Sequence, residues 1–201
     1  MIRRLVLATD NPGKLRELVA LLGDRFAILP QGHFGVRSAP ETGTTFLANA
    51  LLKARHAADC TGLPSLADDS GLEVDALSGA PGVYSARYAG PGASDAANNA
   101  RLLAALAGVP TARRTARYRC VLVLVNGPGD PAPLVAEGTW DGAIADAPRG
   151  AGGFGYDPLF VDAVSGLTGA ELDPAAKNAL SHRGQALRRL RLLLDNGSVA
   201  A

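Results

Sequence analysis

Residues 117–125 (RYRCVLVLV) and 134–144 (LVAEGTWDGAI) are long apolar runs rich in β-branched residues, and only the turn-forming NGPGDPAP stretch separates them. Two strands joined by so short a connection pair antiparallel, because a parallel pair needs a crossover of about a dozen residues or more. That hairpin rules out an all-parallel sheet. Elsewhere short strand-like runs alternate with helical stripes, the pattern of β-α units. The expected fold is α/β, with a mixed, elongated sheet flanked by helices.

The alternation begins at once. Residues 4–9 (RLVLAT) form a short apolar run that stops at Asp10-Asn11-Pro12-Gly13, and Leu15, Leu18, Val19 and Leu22 then follow at helical spacing up to Gly23. Residues 26–29 read as a second strand and residues 30–43 as loop. Phe46, Leu47, Ala50, Leu51, Ala54 and Ala58 make a long helical face behind Thr44 or Thr45 as N-cap. Residues 63–67 are strand-like and run into Asp68-Asp69-Ser70-Gly71, which puts two neighbouring carboxylates at a strand end. Residues 77–92 and 148–158 are glycine-rich and irregular. Ser94-Asp95 caps a helix through Leu102, Leu103 and Leu106, and Asp173-Pro174 opens a final helical region carrying Lys177, Ser181, His182, Arg183 and a leucine-rich tail to Leu194.

At 201 residues the chain suits a single domain over 1–201, with room for two lobes. Its formal net charge of +1 gives no overall field toward nucleic acid or a membrane, so neither is expected as a partner. Cys60 and Cys120 stand far apart with no zinc-like spacing and read as reduced thiols, Cys120 inside an apolar strand. The first apolar run is too short for a signal sequence or a span of about 20 residues, so a cytoplasmic location is expected.

Several stretches carry candidate chemistry. The turn TDNPGK at residues 9–14 lies between a strand and a helix start, where free backbone N–H groups, the positive helix end and Lys14 would seat a phosphate; the bland alternative is a plain turn with a surface lysine. No Walker A pattern occurs. Asp68-Asp69 repel unless a cation or a proton relieves them, and Mg²⁺ with its preference for oxygen is the natural remedy, with Glu41 as a further ligand; the same four residues, DDSG, also make a good turn. GAGGFG at residues 150–155 satisfies the dinucleotide fingerprint by letter but lacks the strand before and helix after that the fingerprint needs. Phe154 and Tyr156 in that open backbone suit a flat ring, and Asp157 its edge or a sugar. Lys177, His182 and Arg183 bring positive charge within a few residues. Only three of the 20 basic residues are lysines, and two of these, Lys14 and Lys177, fall in phosphate-binding candidates.

Six stretches taken in order resemble the ITPase-like family, the Ham1/RdgB-type inosine/xanthosine triphosphate pyrophosphatases. They are Thr9 to Lys14, Glu41-Thr42-Gly43 running to Asn49-Ala50, Asp68 to Gly71, the Gly79-x-Pro81-Gly82-x-Tyr84-Ser85-Ala86-Arg87 segment, Gly153 to Pro158, and Lys177-Asn178 with Ser181-His182-Arg183. The resemblance implies a Mg²⁺-dependent homodimer that hydrolyses ITP, dITP and XTP to monophosphate and pyrophosphate, and two lobes with the nucleotide in a central cleft. Carried over by position, it implies that Thr9, Asp10, Asn11, Pro12, Gly13 and Lys14 bind the triphosphate. It makes Asp69 proton acceptor and metal ligand, with Asp68 and Glu41 beside it. Ser70, Phe154, Gly155, Tyr156, Asp157, Lys177, His182 and Arg183 would complete the nucleotide pocket. Pro40 departs from the glutamate that many members show before Glu41.

Overall fold

The computed structural model describes residues 3–23 and 25–197. Six strands, β1 (Arg3–Leu7), β2 (Phe26–Pro30), β3 (Ser65–Val74), β4 (Thr115–Val125), β5 (Leu134–Ile144) and β6 (Phe160–Asp162), form one sheet in the order β2-β1-β3-β4-β5-β6. β1 runs parallel to β2, with Leu5 opposite Ile28, and parallel to β3, with Leu7 opposite Leu66. β5 and β6 are antiparallel, with Ala143 opposite Val161. β4 and β5 are neighbours joined only by residues 126–133, too short a link for a parallel crossover, so they form the expected hairpin and the sheet is mixed.

Among the described residues, five α-helices flank these strands: α1 (Pro12–Leu22), α2 (Phe46–Thr61), α3 (Asp95–Ala105), α4 (Pro174–Leu180) and α5 (His182–Gly197). Their starts follow from local chemistry. Asn11, Thr45, Ser94 and Asp173 each accept a backbone N–H from the first turn, and Pro12 and Pro174 sit where a missing N–H does no harm. α2 stops at Gly62, whose φ of 67° is the left-handed conformation that glycine adopts without a Cβ penalty.

By its contacts the chain divides into two compact units. The first holds the residues up to Asp69, Cys120–Gly138 and the chain from Gly184 on; the second holds Ser70–Arg119 and Thr139–Arg183. The first packs Leu5, Leu7, Leu18, Leu22, Leu66 and Leu122 into a leucine-rich core. The second has an aromatic core of Tyr118, Trp140, Tyr156 and Phe160 with Leu72 and Leu102.

Two expectations need correcting. The Asp68-Asp69-Ser70-Gly71 stretch lies inside β3, which continues to Val74, and so does not close a strand. A strand with neighbours on both sides satisfies its backbone, and the carboxylates find lysines instead of water, as described below. The final helical region is helical as read, and holds two helices, because Ser181 takes an extended conformation (φ −63°, ψ 156°) between α4 and α5. On α2, Leu47 is 41% exposed, while the buried stripe runs through Phe46, Asn49, Ala50, Lys53, Ala54 and Ala57. A lysine on the inward face is the first sign of a functional centre. The short β6 and the 3₁₀ turn at Gln31–Phe34 had no signal in the sequence. Cys60 and Cys120 are both free, and Cys120 is buried. Among the described residues no helix is long and apolar enough to cross a membrane.

Candidate active site

In the first unit, Asp68 and Asp69 are consecutive residues of β3, and strand alternation sends their side chains to different partners. Asp68 Oδ1 lies 2.7 Å from Lys14 Nζ, and its Oδ2 accepts from the Cys120 thiol at 3.4 Å. Asp69 Oδ1 accepts from Lys53 Nζ at 2.6 Å. The same ammonium donates to Glu41 Oε1 at 2.9 Å and to the Asp68 carbonyl oxygen at 2.9 Å, so its three donors meet three acceptors. Asp69 Oδ2 is buried and has no hydrogen-bond partner.

Burial pushes the Asp69 carboxyl above the usual carboxylate range, and Glu41 adds to that; Lys53 and Lys14 pull it back without cancelling it. Burial alone would lower Lys53, but Asp69 and Glu41 together outweigh it and hold the ammonium above its ordinary value. The asymmetry has a plain cause: Lys53 has two carboxylates, whereas Asp69 shares Lys53 with Glu41 and keeps one oxygen without a donor. The result is a fixed cation beside a carboxylate that readily takes a proton.

The turn before α1 differs from its expected form. Asn11 Oδ1 accepts the N–H of Gly13 at 2.9 Å and of Lys14 at 3.0 Å, and Asn11 N donates to Thr9 Oγ1 at 3.2 Å. Amides expected to be open to a phosphate are thus closed by the Asn11 side chain, which leaves Lys14 as the charge this turn offers. The Asp10 carboxylate turns to Gln31 Nε2 at 2.7 Å and Ser38 Oγ at 2.6 Å, tying down the loop before α2. Burial would raise its pKa, but the bonds from Ser38 and Gln31 prevail and hold it below the usual range. Replacing Asn11 by alanine removes the cap and reopens both amides; thermal unfolding should show a loss of about 1 kcal/mol.

The second unit holds the other candidates. Lys177 Nζ donates to Asp157 Oδ2 at 2.6 Å, and that oxygen also accepts the Phe154 N–H at 2.7 Å. Lys177 Nζ stands 4.7 Å from the Phe154 ring centre, and the Arg183 guanidinium 5.7 Å from it. Phe154 therefore has a cation-lined face. Arg183, 2% exposed, donates from Nη2 to Ser70 Oγ at 3.0 Å. The His182 ring stacks on Tyr118, centroids 4.6 Å apart and planes 8° apart. The Tyr156 hydroxyl donates to the Ser85 carbonyl at 2.8 Å. A Cβ at Gly153 would collide with the Asp157 carboxylate, so this loop requires glycine there.

The structure thus gathers Lys14, Glu41, Asp68 and Asp69 into one cluster, and Ser70, Phe154, Asp157, Lys177 and Arg183 into another. The acidic doublet and the lysine-bearing turn meet through the contact of Lys14 with Asp68. Sequence reasoning missed Lys53, although it occupies a position on the apolar stripe of α2 where a charge needs partners. It gave no sign that the Cys120 thiol reaches Asp68, or that Asp95 and Asn99 reach Gly155.

Among the described residues, no three of His, Cys, Asp and Glu converge to hold a metal by themselves. Mg²⁺ asks for less, since it keeps waters and takes one or two carboxylates plus substrate phosphates. The donorless Asp69 Oδ2 and the oxygen-only set of Asp69 and Glu41 fit such an ion. Asp68 fits less well, since Lys14 and Cys120 contact its two oxygens.

The mixed-sheet α/β fold thus carries a buried carboxylate–lysine centre in its first unit and an aromatic loop lined by cations in its second. The chain belongs to the Ham1 family, whose family model matches residues 5–192. A relative from Xanthomonas campestris pv. campestris, named dITP/XTP pyrophosphatase, is 60% identical over 190 residues, 94% of this chain and 96% of the relative. Among solved structures, a HAM1 protein from Coxiella burnetii superposes with a TM-score of 0.88 at 50% identity, covering 96% of this chain and 99% of that one. The nucleoside-triphosphatase / dITP/XTP pyrophosphatase from Mycobacterium abscessus gives 0.75 at 46% identity, covering 93% and 98%.

Proposed function

We propose that this chain is a nucleoside triphosphate pyrophosphatase that hydrolyses ITP, dITP and XTP to the monophosphate and pyrophosphate, as a Mg²⁺-dependent cytoplasmic homodimer that clears deaminated purine nucleotides. The observation that carries this reading is the Asp69 carboxylate, buried, raised in pKa, and with one oxygen without a donor beside Lys53. The name borne by relatives at about this identity agrees with it.

In this reading Asp69 accepts the proton of the water that attacks the α-phosphorus, at the oxygen no lysine occupies. Burial raises its basicity, which favours taking up that proton. Lys53 holds Asp69 in place, and Lys14 neutralises charge growing on the departing pyrophosphate, the term that dominates phosphoryl transfer. Mg²⁺, held through Asp69 and Glu41, would supply Lewis-acid polarisation of the phosphates and an alternative means of activating water. Phe154, Lys177 and Arg183 receive the base. A donor from Arg183, or from the backbone near His182, facing the six-position satisfies the carbonyl of hypoxanthine or xanthine. Facing the amino group of adenine, two donors stay unsatisfied at roughly 1–3 kcal/mol per group, so ATP should be rejected about thirtyfold or more.

A panel of ITP, dITP, XTP, ATP, GTP, dTTP and UTP, with and without Mg²⁺ and scored separately for pyrophosphate and orthophosphate, tests this. Pyrophosphate from the six-oxo deaminated purines, lost on chelation, is expected. Release of orthophosphate, or preference for the pyrimidines, contradicts the assignment.

A further inference from the structure

We infer that Asp95 and Asn99 of α3 are positioning residues that fasten the Phe154–Asp157 loop in its ligand-binding form by holding both peptide groups of Gly155. The inference rests on the nucleotide reading of that loop given above.

Asp95 and Asn99 are four residues apart on α3 and so share one face of the helix. Asp95 Oδ2 accepts the Gly155 N–H at 2.6 Å, and Asn99 Nδ2 donates to the Gly155 carbonyl at 2.9 Å. Gly155 has φ 62°, so the clamped residue is held in a conformation that other residues rarely take. The helix is a firm anchor: Ser94 caps it, and Leu102 and Leu106 are fully buried in the aromatic core of this unit. On its other side Gly155 is bonded to Phe154, whose ring lies beside Lys177 and Arg183, and Asp157 closes the turn through the Phe154 N–H. Fixing Gly155 therefore fixes where Phe154 stands.

Asn99 is an odd choice for stability alone. It is 9% exposed, and its Oδ1 is buried with no hydrogen-bond partner. A leucine there would avoid that orphaned acceptor. What asparagine gains on this face is the bond to Gly155.

If the clamp opens, only the fraction of molecules with the loop in place binds ligand, so apparent KM rises by the inverse of that fraction while turnover at saturation holds. The test uses the full chain with dITP and Mg²⁺, comparing Asn99→Leu, Asp95→Ala and the conservative Asp95→Asn, which keeps an acceptor for the Gly155 N–H. In parallel, hydrogen exchange of the Gly155 amide is followed without nucleotide. Asn99→Leu and Asp95→Ala should each raise KM roughly three- to tenfold, the loss of one ordinary hydrogen bond, with kcat within about twofold and faster Gly155 exchange. Asp95→Asn should restore both readouts to near wild type. Wild-type exchange at Gly155 in both disruptive variants, or a fall in kcat at constant KM, overturns the clamp. A wild-type protein that releases no pyrophosphate from any triphosphate overturns the nucleotide reading instead, and the exchange comparison still decides the clamp.

Discussion

Asp69→Asn should abolish turnover, lowering kcat by about 10²–10⁴ as removal of a general base does, while leaving the fold intact. The amide matches the carboxylate in shape and can still accept from Lys53, but it cannot take a proton from water. Stability should move the other way as pH rises. In the folded protein the Asp69 carboxyl lies above its ordinary value, because burial opposes its ionisation more than Lys53 and Lys14 favour it. A raised carboxyl contributes stability below its unfolded pKa, and that contribution is lost as pH climbs through the folded pKa. The neutral amide is spared this loss. In metal-free buffer the Tm of Asp69→Asn should therefore gain on wild type between acid and neutral pH. Near-wild-type turnover by this variant would remove Asp69 from its proposed role.

The second large effect is on stability. Lys53→Met should cost about 3–5 kcal/mol, because it strips the single ammonium shared by Asp69, Glu41 and the Asp68 carbonyl and leaves a buried carboxylate without a partner. For a chain of this size that corresponds to a fall in Tm of roughly 6–20 °C, at about 2–4 °C per kcal/mol. Adding Asp69→Asn to Lys53→Met should recover part of the loss, since the orphaned charge is then gone. Glu41 is less affected, because its side chain is 27% exposed and water can take over. If the double variant's change in stability equals the sum of the two single changes, Lys53 and Asp69 do not act as one unit.

The architecture was legible where periodicity is strong. The hairpin announced itself through two long runs and a turn-rich link, and the caps Thr45, Ser94 and Asp173 lay where helix starts call for them. The path of β3 was not legible, because two adjacent aspartates look like a turn until their neutralising partners are known. Those partners come from 54 residues away for Lys14 and 16 for Lys53, distances that no local pattern bridges. The turn from Thr9 to Lys14 was half legible. Its position and lysine follow from the sequence, yet the competition between a ligand and Asn11 for the same amides appears only once the cap geometry is known. The bonds from Asp95 and Asn99 to Gly155 escaped notice because a helix residue that bonds a distant loop backbone carries no spacing of its own.

Hydrolysis of dITP in ¹⁸O-labelled water, with each product weighed by mass spectrometry, puts the central claim to its most direct test. Water activated beside Asp69 and aimed at the α-phosphorus places the label in the nucleoside monophosphate and leaves pyrophosphate unlabelled. Label in the pyrophosphate, with none in the monophosphate, would mean attack at the β-phosphorus and contradict the account.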